Sequence, residues 1–387
     1  MNRYFRALLL LLTFSVGCTS SAEREYSLPD DDLVTLMRGQ KTFALNEVRN
    51  LPAGAPDPGI RKVLAEILTS AGLKEDPASP FKVSLEWQGE ALSSEYNSRD
   101  RRVQGRRYTA ARINGFLTLE IDSAFHEEEF QFATSTPLFT MFKDEDHLSK
   151  EFEAPFEEPV WLCPNGPILS LLRIVTTAYG DTPALRAMAH QDNRMRFYGA
   201  TVAGDLKLES ARPALERMIQ GTTSYSSAFL IKSPYETMNP EKAASAALGK
   251  LPFAESTRAI LFRLASRDSE SNLGMDPLLE WKSPDIMPDI IQLLVSSRYF
   301  PYYDTGRALP LAEKICDARC KPALQKFRKR CEKELQQVNT QEPGKPIEIK
   351  DPNDPNRKIS MTESEAFAYY IASIDRTLER IEPRPTR

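Results

Sequence analysis

Six arginines, Arg99, Arg101, Arg102, Arg106, Arg107 and Arg112, fall within fourteen residues. Such a cluster could hold anionic headgroups, because each charge near an anionic surface adds about 1 kcal/mol. The plainer reading is a solvated hairpin tip. Two acidic runs, Glu127-Glu128-Glu129 and Asp144-Glu145-Asp146, offer the carboxylates that acid–base catalysis uses. Adjacent acids on a strand point to opposite faces and do not converge on one substrate atom. A solvated surface is the plainer reading there too. Four cysteines follow Cys18: Cys163, Cys316, Cys320 and Cys331. Four permit two disulfides in any of three pairings. The spacing of Cys316, Cys320 and Cys331 matches no common zinc pattern, and the histidines, His126, His147 and His190, are widely scattered. No serine sits in a nucleophile elbow and no glycine-rich loop could cradle a phosphate. The sequence therefore assigns no catalytic residue, no metal ligand and no cofactor.

The start of the chain gives an address. Arg3 and Arg6 precede an unbroken apolar run, Ala7 to Leu12, and small residues follow up to Gly17. The apolar stretch is too short to span a membrane and fits a cleavable signal. Ser15-Val16-Gly17-Cys18 resembles the lipobox of bacterial lipoproteins, with Ser15 standing where that family usually has Leu. The resemblance implies lipidation at Cys18, and Thr19 after it implies an outer-membrane lipoprotein facing the periplasm. Ser20-Ser21-Ala22 is a rival site for ordinary signal peptidase, and cleavage there would discard Cys18. Residues 1–17 are then the signal peptide and 18–29 a tether. A tether of that length keeps the following residues within about 40 Å of the headgroups.

Charged residues make up 27% and hydrophobic residues 41% of the 387, ordinary for globular protein, and the net charge is −4. That balance gives nucleic acid no footprint. The length from Cys18 onward allows two or three domains, each with its own core.

Several elements can be read from periodicity. Asp30-Asp31-Asp32 before Leu33 to Met37 looks like the acidic start of a short helix, and Lys41 to Val48 is a candidate first strand. Asp57-Pro58 is an N-cap and N1 pair. Ile60, Val63, Leu64, Ile67, Leu68 and Ala71 then lie on one helical face, and Gly72 stops the helix. The period next changes to two. Phe81, Val83, Leu85 and Trp87 alternate with polar residues, and Ala111, Ile113, Gly115, Leu117, Leu119 and Ile121 repeat the pattern. Phe130 and Phe132 mark a third strand. The expectation for residues 30–141 is an α+β domain with a small antiparallel sheet. Residues 142–160, acidic and proline-containing, read as a linker.

The chain turns helical after Pro167. Asp192-Asn193-Arg194-Met195-Arg196, then Ala200 and Gly204, then Arg212-Pro213-Ala214-Leu215 resemble a HEAT repeat. Ala246-Ala247-Leu248-Gly249 with Arg258-Ala259-Ile260 repeats the plan 45 residues later, and Ala308 to Ala312 with Lys321-Pro322-Ala323-Leu324 repeats it again. The resemblance implies all-α HEAT-like helical repeats over residues 161–340; an ordinary helical bundle is the alternative. It also places Cys316 and Cys320 near the turn before the helix opened by Pro322, implying a disulfide between them. Residues 341–387 read as a hairpin and a docking helix. The turn Asp351 to Asn356 breaks the EF-hand pattern at Pro355 and Arg357, which favours a plain turn over a calcium loop. Thr362 and Glu365 form a capping box, and Phe367, Tyr370, Ile371, Ile374 and Leu378 make one apolar face.

Stacked helix pairs present extended surfaces suited to protein partners. The leading expectation is a lipid-anchored, non-enzymatic envelope scaffold or assembly factor. It would bind an envelope protein and reach the membrane through its anchor, without nucleic acid. A hydrolase acting on envelope material and a lipid-handling module are the alternatives.

Overall fold

A computed structural model describes residues 31–51, 58–96, 106–122, 124–134, 166–220, 238–267, 271–296, 302–339, 347–351 and 354–381. Helix α1 (Asp31–Arg38) leads into strand β1 (Thr42–Leu51), helix α2 (Pro58–Ser70), the short β2 (Lys74–Glu75), and strands β3 (Phe81–Tyr96), β4 (Arg106–Ile121) and β5 (Ala124–Thr134). The remainder is mostly helical: α3 (Pro167–Tyr179), α4 (Thr182–Met188), α5 (Asn193–Asp205), α6 (Arg212–Gln220), α7 (Pro240–Lys250), α8 (Glu255–Ala265), α9 (Ser271–Glu280), α10 (Met287–Ser296), α11 (Tyr302–Ile315) and α12 (Lys321–Asn339). The hairpin β6 (Ile347–Asp351) and β7 (Asp354–Met361) and helix α13 (Glu363–Ile381) close the described chain.

The sheet order is β2-β1-β3-β4-β5. β3, β4 and β5 are antiparallel neighbours, whereas β1 runs parallel to both β2 and β3. The sheet is therefore mixed, which corrects the expectation of an antiparallel one. The reason is topological. Parallel neighbours need a crossover, and α2 supplies it between β1 and the strands after it. Alternation sorts the faces as the sequence implies. Phe81, Val83, Leu85 and Trp87 are buried, and Lys82 pairs with Glu120 at 2.8 Å on the opposite face.

Among the described residues, the central strands have no outer neighbours beyond Gln88 and Ala111, and Leu92–Tyr96 pair with Arg106–Ala110 alone. Five residue pairs at about 3.3 Å each make an arm roughly 17 Å long.

Two hydrophobic cores meet on α5. The first joins the inner sheet face to α1, α2 and α3 and takes Met195, Tyr198 and Val202 from α5. The second takes Ala200 and Ala203 from α5 and continues to Ile374. In it α5 packs on α7, α7 on α9, α9 on α11 and α11 on α13, with α6 against α7 and α8 against α9. Small residues let these helices approach. A Cβ added to Gly204 would lie 2.7 Å from the Ala247 Cα, and one on Gly249 would lie 2.9 Å from the Pro277 Cα. α5 and α7 thus each seat a glycine on the next helix of the stack.

The C-terminal capping box closes reciprocally. The Thr362 backbone N–H donates to Glu365 Oε2 at 2.7 Å, and the Glu365 N–H donates to Thr362 Oγ1 at 3.3 Å. Phe367, Tyr370 and Ile374 of α13 are buried in the second core, where α13 packs on α11 and α12. Among the described residues no helix is long and apolar enough to cross a membrane.

Candidate functional site

A cavity of about 240 Å³ opens where α2 meets α3, α4 and the start of α5. Its position follows from helix phase. Ile60, Leu64, Ile67 and Leu68 turn one face of α2 into the first core, which leaves Glu66, Thr69 and Ser70 along the edge of that face. Ile67, Leu172, Ala187 and Met195, all less than 5% exposed, form the floor with Pro183. Glu66, Thr69, Ser70, Arg186 and His190 make the rim.

The rim groups have defined hydrogen-bonding roles. His190 Nδ1 accepts the backbone N–H of Asp192 at 3.0 Å. In the neutral ring that acceptance puts the hydrogen on Nε2, which faces Glu66 Oε2 at 3.5 Å. Asp192 is itself fixed as the N-cap of α5, accepting the Arg194 N–H at 2.8 Å. Burial pushes the Asp192 carboxyl up, but the hydrogen bonds and charge of Arg194 together hold it below its usual range. Thr69 Oγ1 donates to the Ala65 carbonyl at 2.8 Å, and Ser70 Oγ donates to the Ile67 carbonyl at 2.6 Å. Both hydroxyl hydrogens are thus used on the helix, and the oxygens keep only acceptor capacity. Lys62 Nζ stands 3.8 Å from Glu66 Oε1. Arg186 is exposed, with no ion-pair partner among the described residues.

The residues singled out in the sequence lie elsewhere. Cys18, Arg99, Arg101, Arg102, Cys163, the run Asp144-Glu145-Asp146 and the linker all lie outside the described residues. Arg106, Arg107 and Arg112 occupy β4, opposite Tyr96, Glu95 and Glu90 of β3. Cys316 and Cys320 are joined by a disulfide with their Cα atoms 5.9 Å apart, at the corner between α11 and α12. Cys331 on α12 is a buried free thiol, pushed up to about 12 by burial and so protonated at neutral pH.

Of the acidic triplet, Glu127 and Glu129 share one sheet face, and Glu128 turns to the other, where it accepts the Ser170 hydroxyl. His126 Nε2 lies 3.8 Å from Glu128 Oε1. The Ser170 hydroxyl hydrogen thus goes to Glu128 and not to His126. Asp304 on α11 is 3% exposed, and burial with the nearby Asp276 raises its carboxyl to about 6 against the pull of Arg307. It does not line the cavity. Among the described residues no three His, Cys, Asp or Glu side chains come together as a metal site.

Sequence reasoning missed the cavity because its rim spans Glu66 to His190 without a local motif. No family model, no curated protein and no solved structure matches the chain.

Proposed function

We propose that this is an exported envelope protein, anchored through lipid on Cys18, whose HEAT-like helical array is a non-enzymatic scaffold for a protein partner. The observation that supports the reading is the succession of packed helices from α5 to α13, whose first links match the 45-residue spacing read in the sequence. Lys250 Nζ meets Asp205 Oδ1 at 2.7 Å, and Arg212 donates to Thr257 Oγ1 at 2.9 Å, both pairs 45 residues apart. Helices packed in such a succession offer long surfaces to partners. The array carries an aromatic pair at its surface, Phe253 at 47% exposure packed edge-on against the half-buried Trp281 at 5.1 Å between ring centres. Aromatic groups of this kind are enriched where proteins meet. The address is carried by the signal and lipobox pattern up to Cys18.

One experiment tests both halves. A photo-cross-linking residue replaces Phe253 in the full chain and, separately, in the Cys18→Ala chain, each expressed in its native envelope. The expected result is one discrete adduct in the membrane fraction from the first. The second should move to the soluble fraction. Absence of a discrete adduct in the first chain removes the scaffold reading. Retention of the Cys18→Ala chain on the membrane removes the anchor.

A further inference from the structure

We infer that the α2–α4 cavity binds the C-terminal residue of a polypeptide, with an aliphatic side chain on its floor and the terminal carboxylate on Arg186. The inference rests on the scaffold reading and names the chemistry by which one partner segment is held. Volume sets the first limit. A cavity of about 240 Å³ lies just below the ~300–1,000 Å³ of sites for drug-sized ligands, so it suits one residue and not a nucleotide or flavin. The floor sets the second. Ile67, Leu172, Pro183, Ala187 and Met195 offer only apolar contact, which favours a leucine-sized aliphatic group.

The rim sets the third limit. The His190 Nε2–H is turned to Glu66 Oε2, so Arg186 is the open donor, and a guanidinium with no ion-pair partner among the described residues, beside an apolar floor, is suited to a carboxylate. Glu66 and the oxygens of Thr69 and Ser70 are acceptors, since both hydroxyl hydrogens are spent on the α2 backbone. The ligand must therefore carry an apolar body, an anionic head and N–H donors together. An acyl chain has no N–H to offer, and an internal peptide segment has no carboxylate beside its side chain. A chain end has all three. Capture of terminal groups by fixed donors is an established mode of peptide recognition.

The test is a titration of the full chain with an acetylated tetrapeptide ending in leucine as the free acid, alongside its C-terminal amide and free leucine, read by calorimetry. The free acid should bind. The amide should bind at least about tenfold more weakly, the loss that goes with a charge-assisted hydrogen bond. Arg186→Gln should weaken the free acid by a similar factor, and Arg186→Lys should restore part of it.

No binding of the free acid at millimolar peptide overturns the inference. So does equal affinity of acid and amide, or an Arg186→Gln chain that binds as well as the parent. If free leucine binds as tightly as the peptide, the occupant is a free amino acid and the chain-end assignment falls. Failure of the peptide while Phe253 still yields its adduct removes this inference alone. Loss of the adduct while the peptide binds removes the scaffold reading alone.

Discussion

Asp304 sits where a carboxylate is hardest to keep charged. It is 3% exposed, its Oδ1 has no hydrogen-bond partner among the described residues, and Asp276 adds negative charge nearby. In the unfolded chain an aspartate titrates near the ordinary value of about 3.9, and here the folded value is about 6. Between those values the folded state keeps a proton that the unfolded state releases. The contribution of Asp304 to stability is therefore fully present below about pH 4. It falls as pH rises through about 6 and is flat beyond. A shift of about two units corresponds to roughly 3 kcal/mol. Asp304→Asn should accordingly stabilise the protein more at pH 7.5 than at pH 4, as read by urea unfolding at the two values. An equal change at both would mean that the carboxyl is not raised. Nothing in the sequence around Asp304 announces this, because Tyr302-Tyr303-Asp304-Thr305 reads as an ordinary helix start. The cavity rim was equally silent. Glu66 belongs to no motif, and His190 is one of three scattered histidines.

Elements were more legible than sites, because periodicity is local and site geometry is not. The 3.6-residue apolar face from Ile60 to Leu68 became α2, with Gly72 at φ +89° ending it. The two-residue alternation of Phe81 to Trp87 became the centre of the sheet. The direction of β1 was not legible, since alternation fixes which face is buried and says nothing of the neighbour's direction. The small residues of the helical region were visible as a pattern, Gly204 and Gly249 among them, but their purpose emerges only from the packing. Gly204→Ala tests that purpose. Helix propensity alone would gain about 1 kcal/mol, whereas a Cβ at 2.7 Å from the Ala247 Cα overpacks the α5–α7 contact by about 1–3 kcal/mol. The clash should win, and thermal unfolding should show a lower midpoint. A higher midpoint would mean that α5 and α7 do not approach this closely.

At the scale of the whole molecule, the division into a sheet-bearing part and a helical part followed from the change of period along the chain. The way the parts are tied together did not. Arg173 of α3, 6% exposed, pairs with Asp205 of α5, and Asp205 also receives Lys250 of α7. Such a junction joins residues 77 positions apart in sequence and has no local signature. The helix at its centre, α5, has one consequence for how the protein comes apart. With Met195, Tyr198 and Val202 in one core and Ala200 and Ala203 in the other, neither core can melt without stripping apolar surface from the same 13-residue helix. Loss of either side should therefore drag the other with it, so that the chain denatures cooperatively in a single step. Trp87 reports on the first core and Trp281 on the edge of the second. Chains that keep only one of these tryptophans as a fluorophore should lose their signals at the same temperature. Two separate midpoints would show that α5 can let go of one core while it holds the other.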